Sequence, residues 1–252
     1  MKKYVNLFVF VFMVGACFSQ GKAQTKSAVS YKNPVVDIAM PDPTVIKATD
    51  GYFYVYATES TRNVPIMKSK DLVQWTYCNT AFTNKTRPRF EPKAGIWAPD
   101  INYINNKYVL YYAMSVWGGE QTCGIGVATA DSPQGPFTDH GKMFRSNEIG
   151  VQNSIDPSFL QYEGRNYLVW GSFRGIYVIE LTEDGLSLKP GAEKKRIAGT
   201  AFEAAYIHKH GDYYYMFASI GSCCEGIRST YKVVVGRSKK VWGPYKDKSG
   251  KP

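Results

Sequence analysis

One unit occurs four times along the chain, and that repetition restricts the fold more than anything else in it. Each copy reads as an acidic residue, a short apolar strand, a turn and an aromatic strand. Asp42-Pro43-Thr44-Val45-Ile46 leads through Asp50-Gly51 into Tyr52–Thr58, and Asp100-Ile101-Asn102-Tyr103-Ile104 leads through Asn105-Asn106 into 107–113. Asp156-Pro157-Ser158-Phe159-Leu160 leads through Glu163-Gly164 into 165–172, and Glu203 to Ile207 leads through His210-Gly211 into 212–219. With the acids aligned, the steps are 58, 56 and 47 residues. A strand-turn-strand unit at such a period predicts a propeller or a solenoid. No segment holds a 3.6-residue apolar period over a helix length, so the fold class expected is all-β.

The outer parts of the units echo one another as well. Thr129 to Phe137, with Gly135-Pro136, resembles Arg237 to Tyr245, with Gly243-Pro244, and Lys68 to Trp75 is a weaker third copy. These read as outer hairpins of blades. In a propeller the first strand of each blade lines the axis, so the acids at the inner-strand starts point to one end of a central channel. Four units are visible, and 246–252 reads as a turn. The sequence therefore predicts either a four-bladed ring or a chain lacking a fifth blade.

The N-terminus reads as an export signal. Lys2 and Lys3 precede a mostly apolar stretch, Val5 to Ala16, shorter than the roughly 20 residues of a spanning helix. Cleavage after Ala23 gives a signal over 1–23. Val14-Gly15-Ala16-Cys17 alternatively resembles a lipobox, with a signal over 1–16 and a lipid on Cys17. Residues 24–33 are a polar lead-in, and the propeller domain is expected over 34–252. The location expected is exported: secreted, periplasmic or an outer-membrane lipoprotein, with no transmembrane span. Without Lys2, Lys3 and Lys22 the chain keeps 28 basic and 21 acidic residues, a net +7. These charges are scattered, and an exported protein meets little nucleic acid, so no nucleic-acid partner is expected. With 19 Tyr, 13 Phe and 5 Trp the composition suits sugar-stacking surfaces. Cys78, Cys123, Cys223 and Cys224 lack the spacing of a disulfide scaffold, and no Cys/His pair has zinc spacing. Cys223-Cys224 is expected to be two small strand-end residues facing opposite ways, the alternative being a vicinal disulfide.

Two carboxyl groups across a sugar can hydrolyse a glycosidic bond, one protonating the leaving oxygen and the other attacking or activating water. Asp42, Asp156 and Glu203 stand out. The apolar context Ala201-Phe202-Glu203-Ala204-Ala205 predicts a desolvated acid, and Pro41 and Pro43 stiffen the backbone around Asp42. Asp100 fits the same repeat, so the pattern alone does not choose three acids of four.

Asp42-Pro43-Thr44, Gly95-Ile96-Trp97-Ala98-Pro99-Asp100, Ser154-Ile155-Asp156-Pro157-Ser158 and Phe202–Ile207 resemble the blade motifs of glycoside hydrolase family 43. Gly221-Ser222-Cys223-Cys224-Glu225-Gly226 with Ser229–Ser238 is similar to its arabinan endo-1,5-α-L-arabinosidases. The resemblance spans about 33–248. It implies a five-bladed β-propeller, with the fifth blade missing from this chain, and inverting hydrolysis. It also implies Asp42 as general base, Glu203 as general acid, and Asp156 as the residue that orients Glu203 and tunes its pKa. Asn153, Ser154 and Ile155 match a substrate-binding run. Gly118, Ser172, Phe173 and Arg174 match substrate-contacting loops, and Trp97 is either a stacking platform or a blade-core ring. No cofactor is required for the chemistry. A structural calcium on the axis of a full-length protein is implied by the family, its His coming from the absent blade, so no metal ligand is assigned in this chain. Pro41 where the family often has His, and Ala205 where many members have Pro, bear on substrate detail. The substrate expected is arabinan or an arabino-oligosaccharide, cleaved internally by a monomer. The alternatives are an exo-acting α-L-arabinofuranosidase or β-xylosidase, and a non-catalytic carbohydrate-binding propeller.

Overall fold

The computed structural model describes residues 30–251. The export signal and Cys17 lie outside the described residues, as does most of the 24–33 lead-in. From Asn33 onward the chain forms one compact unit of four antiparallel sheets in sequence order, a four-blade propeller arrangement. Blade 1 holds β1 (Thr44–Lys47), β2 (Phe53–Tyr56), β3 (Pro65–Ser69) and β4 (Trp75–Thr80). Blade 2 holds β5 (Gly95–Ile104), β6 (Lys107–Ser115), β7 (Gly124–Ala130) and β8 (Thr138–Arg145). Blade 3 holds β9 (Ser158–Tyr162), β10 (Arg165–Trp170), β11 (Ile176–Glu180) and β12 (Lys195–Ala198). Blade 4 holds β13 (Glu203–His210), β14 (Tyr213–Ile220) and β15 (Lys232–Ser238). The one α-helix among the described residues is a single turn, Ser146–Ile149.

The turns follow from the residues that make them. A two-residue hairpin needs positive φ at both centres. Asn105 and Asn106 supply it at 47° and 62°, and Glu163 and Gly164 at 49° and 73°. The outer echoes are hairpins: 131–137 joins β7 to β8, and the segment after β15 returns to pair Lys246 with Arg237. Each echo ends by burying one aromatic ring, Phe137 or Tyr245, between blades.

Alternation along the strands builds a core between each pair of neighbouring blades. Tyr54, Tyr56 and Ile66 of blade 1 pack on Leu110, Tyr112 and Met114 of blade 2. Val109, Tyr111 and Ile125 pack on Leu168 and Trp170 of blade 3. Val169, Ile176 and Val178 pack on Ala205, Ile207, Met216 and Ala218 of blade 4. The opposite face of blade 4 carries Tyr206, Phe217, Val233 and Val235, all exposed.

The structure corrects the alignment of the four acids. Near the start of each inner strand, just before it or within its first four residues, lies one non-glycine residue at positive φ: Asp42 (49°), Ala98 (41°), Asp156 (59°) and Ala204 (52°). Proline follows in three of the four, and alanine in the last. Asp100 therefore aligns with Thr44, Ser158 and Tyr206, and Glu203 aligns with Pro41, Trp97 and Ile155. A bulge after Trp97 and another after Glu203 mark the same place in the ladders. Four non-glycine residues in a sparsely populated region, at one rim of one channel, is the pattern of strain held at a functional site.

Candidate active site

The positive-φ positions put two acids at the rim directly, Asp42 and Asp156, and Glu203 one residue before the fourth such position, Ala204. Asp100, two residues further down its strand, is drawn into the channel as a tie between blades. One carboxylate oxygen accepts from Thr44 Oγ1 (3.4 Å), and the other from Asn102 Nδ2 (2.7 Å) and the Phe159 backbone N–H (2.7 Å). It thus joins blades 1, 2 and 3. Burial raises its pKa from 3.8 to about 6 against those three donors.

Asp42 is exposed at the channel mouth, with Thr58 Oγ1 donating to its Oδ2 at 2.5 Å. The same hydroxyl accepts from the Ala98 N–H at 2.7 Å, which aims its proton at Asp42. Glu203 is the opposite case, only 9% exposed. Ser172 Oγ donates to its Oε2 at 2.6 Å and is itself held by Asn153 Nδ2 at 2.9 Å. Asn153 and Ser172 therefore act as one unit that directs a proton at Glu203. Asp156 accepts from the Ala204 N–H, so it holds the residue that follows Glu203. Its pKa is pushed well above the carboxylate range, first by burial, then by the charges of Glu203 and Asp42. Asp156 thus feels the charge of both other carboxyl groups.

The other expected site residues divide. Trp97 is half-buried over Ala113, Cys123 and Ile155, and its ring lies 5.6 Å from that of Trp117, which is 78% exposed. The pair presents aromatic surface at the mouth while Trp97 also packs below, so the ring has the core contacts of one reading and a neighbouring exposed ring. Gly118, exposed at φ +78°, has open space where a Cβ would stand. Arg174 makes a two-pronged ion pair with Glu120 (3.0 and 2.9 Å), and the Phe173 N–H bonds the Phe202 carbonyl at 2.9 Å. Ser154 and Ile155 lie beneath the site. Ser154 is fully buried between the Trp170 Nε1–H and the Val151 carbonyl, and Ile155 supports Trp97. Their side chains face the core because Asn153, at φ +53°, turns the chain there.

Several groups were not singled out from the sequence. Thr58, Trp117, Glu120 and Ser219 belong to the site or its frame, and so does Tyr231, whose phenol reaches Glu203 and Ser219. Burial, then the Glu203 carboxylate, pushes that phenol well up. A signal for some of these was present: Ala57-Thr58, Gly171-Ser172 and Ala218-Ser219 each put a hydroxyl after a small residue where the second strand of a unit ends. The Cys223-Cys224 expectation is corrected. The two are joined as a vicinal disulfide, and Cys224 takes φ +70°. They lie in the β14–β15 loop rather than at a strand end, so the two side chains need not alternate. Among the described residues no three His, Cys, Asp or Glu side chains converge as metal ligands. Among them, too, no helix is long and apolar enough to cross a membrane.

Comparison with known proteins agrees with this architecture. An extracellular endo-α-(1→5)-L-arabinanase of Bacillus subtilis is 38% identical over 224 residues, covering 83% of this chain and 68% of that protein. An extracellular exo-α-(1→5)-L-arabinofuranosidase of Cellvibrio japonicus is 34% identical over 238 residues, covering 83% of this chain and 67% of that one. The solved structure of a Cellvibrio cellulosa α-L-arabinanase complexed with arabinohexaose superposes with a TM-score of 0.75 at 32% identity, covering 85% of this chain and 75% of that one. The family model for glycosyl hydrolases family 43 matches residues 31–252, and the chain belongs to that family of glycoside hydrolases.

Proposed function

We propose that the protein is an exported endo-acting hydrolase of linear α-1,5-arabinan that works by inverting general acid/base catalysis. The observation that carries this reading is the unequal setting of Asp42 and Glu203 around Asp156. Asp42 is open to water and accepts a hydrogen bond from Thr58 on one oxygen, which leaves the other to take a proton from an attacking water molecule. Glu203 is buried, with one oxygen engaged by Ser172, which leaves the other to deliver a proton to the leaving sugar oxygen. Asp156, holding the Ala204 N–H, positions Glu203 and places a third carboxyl beside it. Inversion requires Asp42 and Glu203 to stand about 6.5–9.5 Å apart, so that water fits between base and sugar. Trp97 and Trp117 supply flat apolar surface for sugar rings at the same mouth.

Extracellular relatives support export, and relatives named for arabinan support the substrate. A second reading, exo-acting removal of single arabinose units, is favoured by similarity to an exo-named relative and to an exo-named solved structure. The ring is further proposed to be five-bladed, the fifth blade covering the exposed Tyr206, Phe217, Val233 and Val235 face of blade 4. The test is to incubate the protein with linear arabinan and follow reducing ends and the product ladder. An early ladder of mixed oligosaccharides is expected. Arabinose alone from the outset transfers the assignment to the exo reading, and binding without release overturns catalysis.

A further inference from the structure

The 221–231 loop joins β14 to β15 at the end of blade 4 that carries Glu203. Glu203 pairs across the ladder with Ser219, and Ser219 with Val233. The loop therefore rises from the rim beside the buried carboxyl group. Its neck is pinched shut. The Thr230 N–H bonds the Ser222 carbonyl and the Ser222 N–H bonds Thr230 Oγ1, each at 3.0 Å. At Gly221, φ +89°, a Cβ would meet the Thr230 carbonyl oxygen at 2.6 Å. The disulfide begins one residue beyond this brace, toward the loop tip, while Tyr231 lies one residue outside it, on the side of β15. Further out, Glu225 and Ser229 close a second brace, N–H to Oγ, at 3.0 Å. Cys224 is exposed and Cys223 half-buried.

A disulfide between adjacent residues closes no long loop, so it contributes little by the chain-entropy route that makes most disulfides stabilising. Its chemical effect is local. It removes two thiol donors and leaves a rigid, polarisable, apolar surface at the rim. A furanose ring has a face of C–H groups that such a surface can cover, with Glu225 and Arg228 of the same loop at hand for its hydroxyls. Glu203 protonates the oxygen that leaves, so the sugars next to this loop are those of the departing half of the chain.

We propose that the Cys223–Cys224 disulfide is a specificity-determining wall for the leaving-group side of the arabino-oligosaccharide, packing on the C–H face of a sugar ring. This rests on the hydrolase reading above. Pre-organisation gives the wall its value: a fixed surface loses no side-chain freedom when the sugar docks.

The test measures binding to the Asp42→Asn protein, before and after mild phosphine reduction, with arabinohexaose and with arabinose. Thiol titration confirms opening of the pair, and thermal melting reports the fold. Reduction is expected to weaken arabinohexaose binding about fivefold and to leave arabinose unchanged, with the Tm preserved. The Cys223→Ala/Cys224→Ala double variant, with its catalytic residues otherwise intact, is expected to show the same rise in KM on arabinan at unchanged kcat. Unchanged arabinohexaose binding after reduction, with arabinan hydrolysis by the oxidised protein intact, overturns this inference alone. Equal weakening of both sugars together with a lower Tm also overturns it, showing a purely structural bond. No sugar binding and no hydrolysis by the oxidised protein overturns the hydrolase reading and this inference with it.

Discussion

Asp100 ties blades together where the other acids of the repeat are proposed to do chemistry, and its replacement by Asn tests that separation. The folded protein holds the Asp100 proton up to about pH 6, whereas the unfolded chain releases it near the ordinary value of 3.8. A folded pKa above the unfolded one means that the stabilising proton is fully in place below about pH 4 and is lost as pH rises through about 6. The difference of about two units corresponds to about 3 kcal/mol as an upper bound. Wild type should therefore lose up to about 3 kcal/mol relative to Asp100→Asn between about pH 4 and pH 7. Thermal or urea unfolding of both proteins across that range measures it. Asn keeps an acceptor for the Phe159 N–H, so the tie between blades 2 and 3 survives in the variant. On arabinan, kcat should change less than about tenfold, against the 10²–10⁴ expected for a lost acid or base. A flat stability difference across pH 4–7 refutes the titration argument. A thousandfold loss of kcat in a stably folded Asp100→Asn refutes the registration that sets Asp100 apart from Asp42, Asp156 and Glu203.

Three further outcomes follow from the same geometry. Ser172→Ala removes the 2.6 Å hydrogen bond to Glu203; a hydrogen bond of this kind contributes about 0.5–1.5 kcal/mol, so kcat should fall about two- to tenfold at nearly constant KM in steady-state kinetics. Trp117→Ala deletes the exposed half of the aromatic pair, and KM for arabino-oligosaccharides should rise about two- to tenfold with kcat unchanged. Gly221→Ala forces a side chain onto positive φ against the Thr230 carbonyl, and calorimetry should show a loss of about 1–3 kcal/mol.

Repetition of one unit was enough to read an all-β ring of blades, its inner strands and its outer hairpins from the chain alone. Alternation and turn chemistry are local, so Asn105-Asn106 and Glu163-Gly164 announce their own hairpins. The repeat offered four carboxyl groups, and the family resemblance rather than the repeat picked Asp42, Asp156 and Glu203 from among them. The sequence did not reveal which acid stands where. Asp100 and Asp156 look equivalent along the chain, yet a two-residue difference in register makes one a tie between three blades and the other a member of the site. That register is set where proline or alanine follows a strained residue, and only the closed ladders show the strain. Nor could the chain order predict that Ser172 of blade 3 serves Glu203 of blade 4, or that Ser154 turns inward while Asn153 beside it holds Ser172. Those contacts join residues far apart in the chain, and the first of them crosses from one blade to the next. Sequence determined the repeating unit and its chemistry, and packing of blade on blade decided which copies of that chemistry meet.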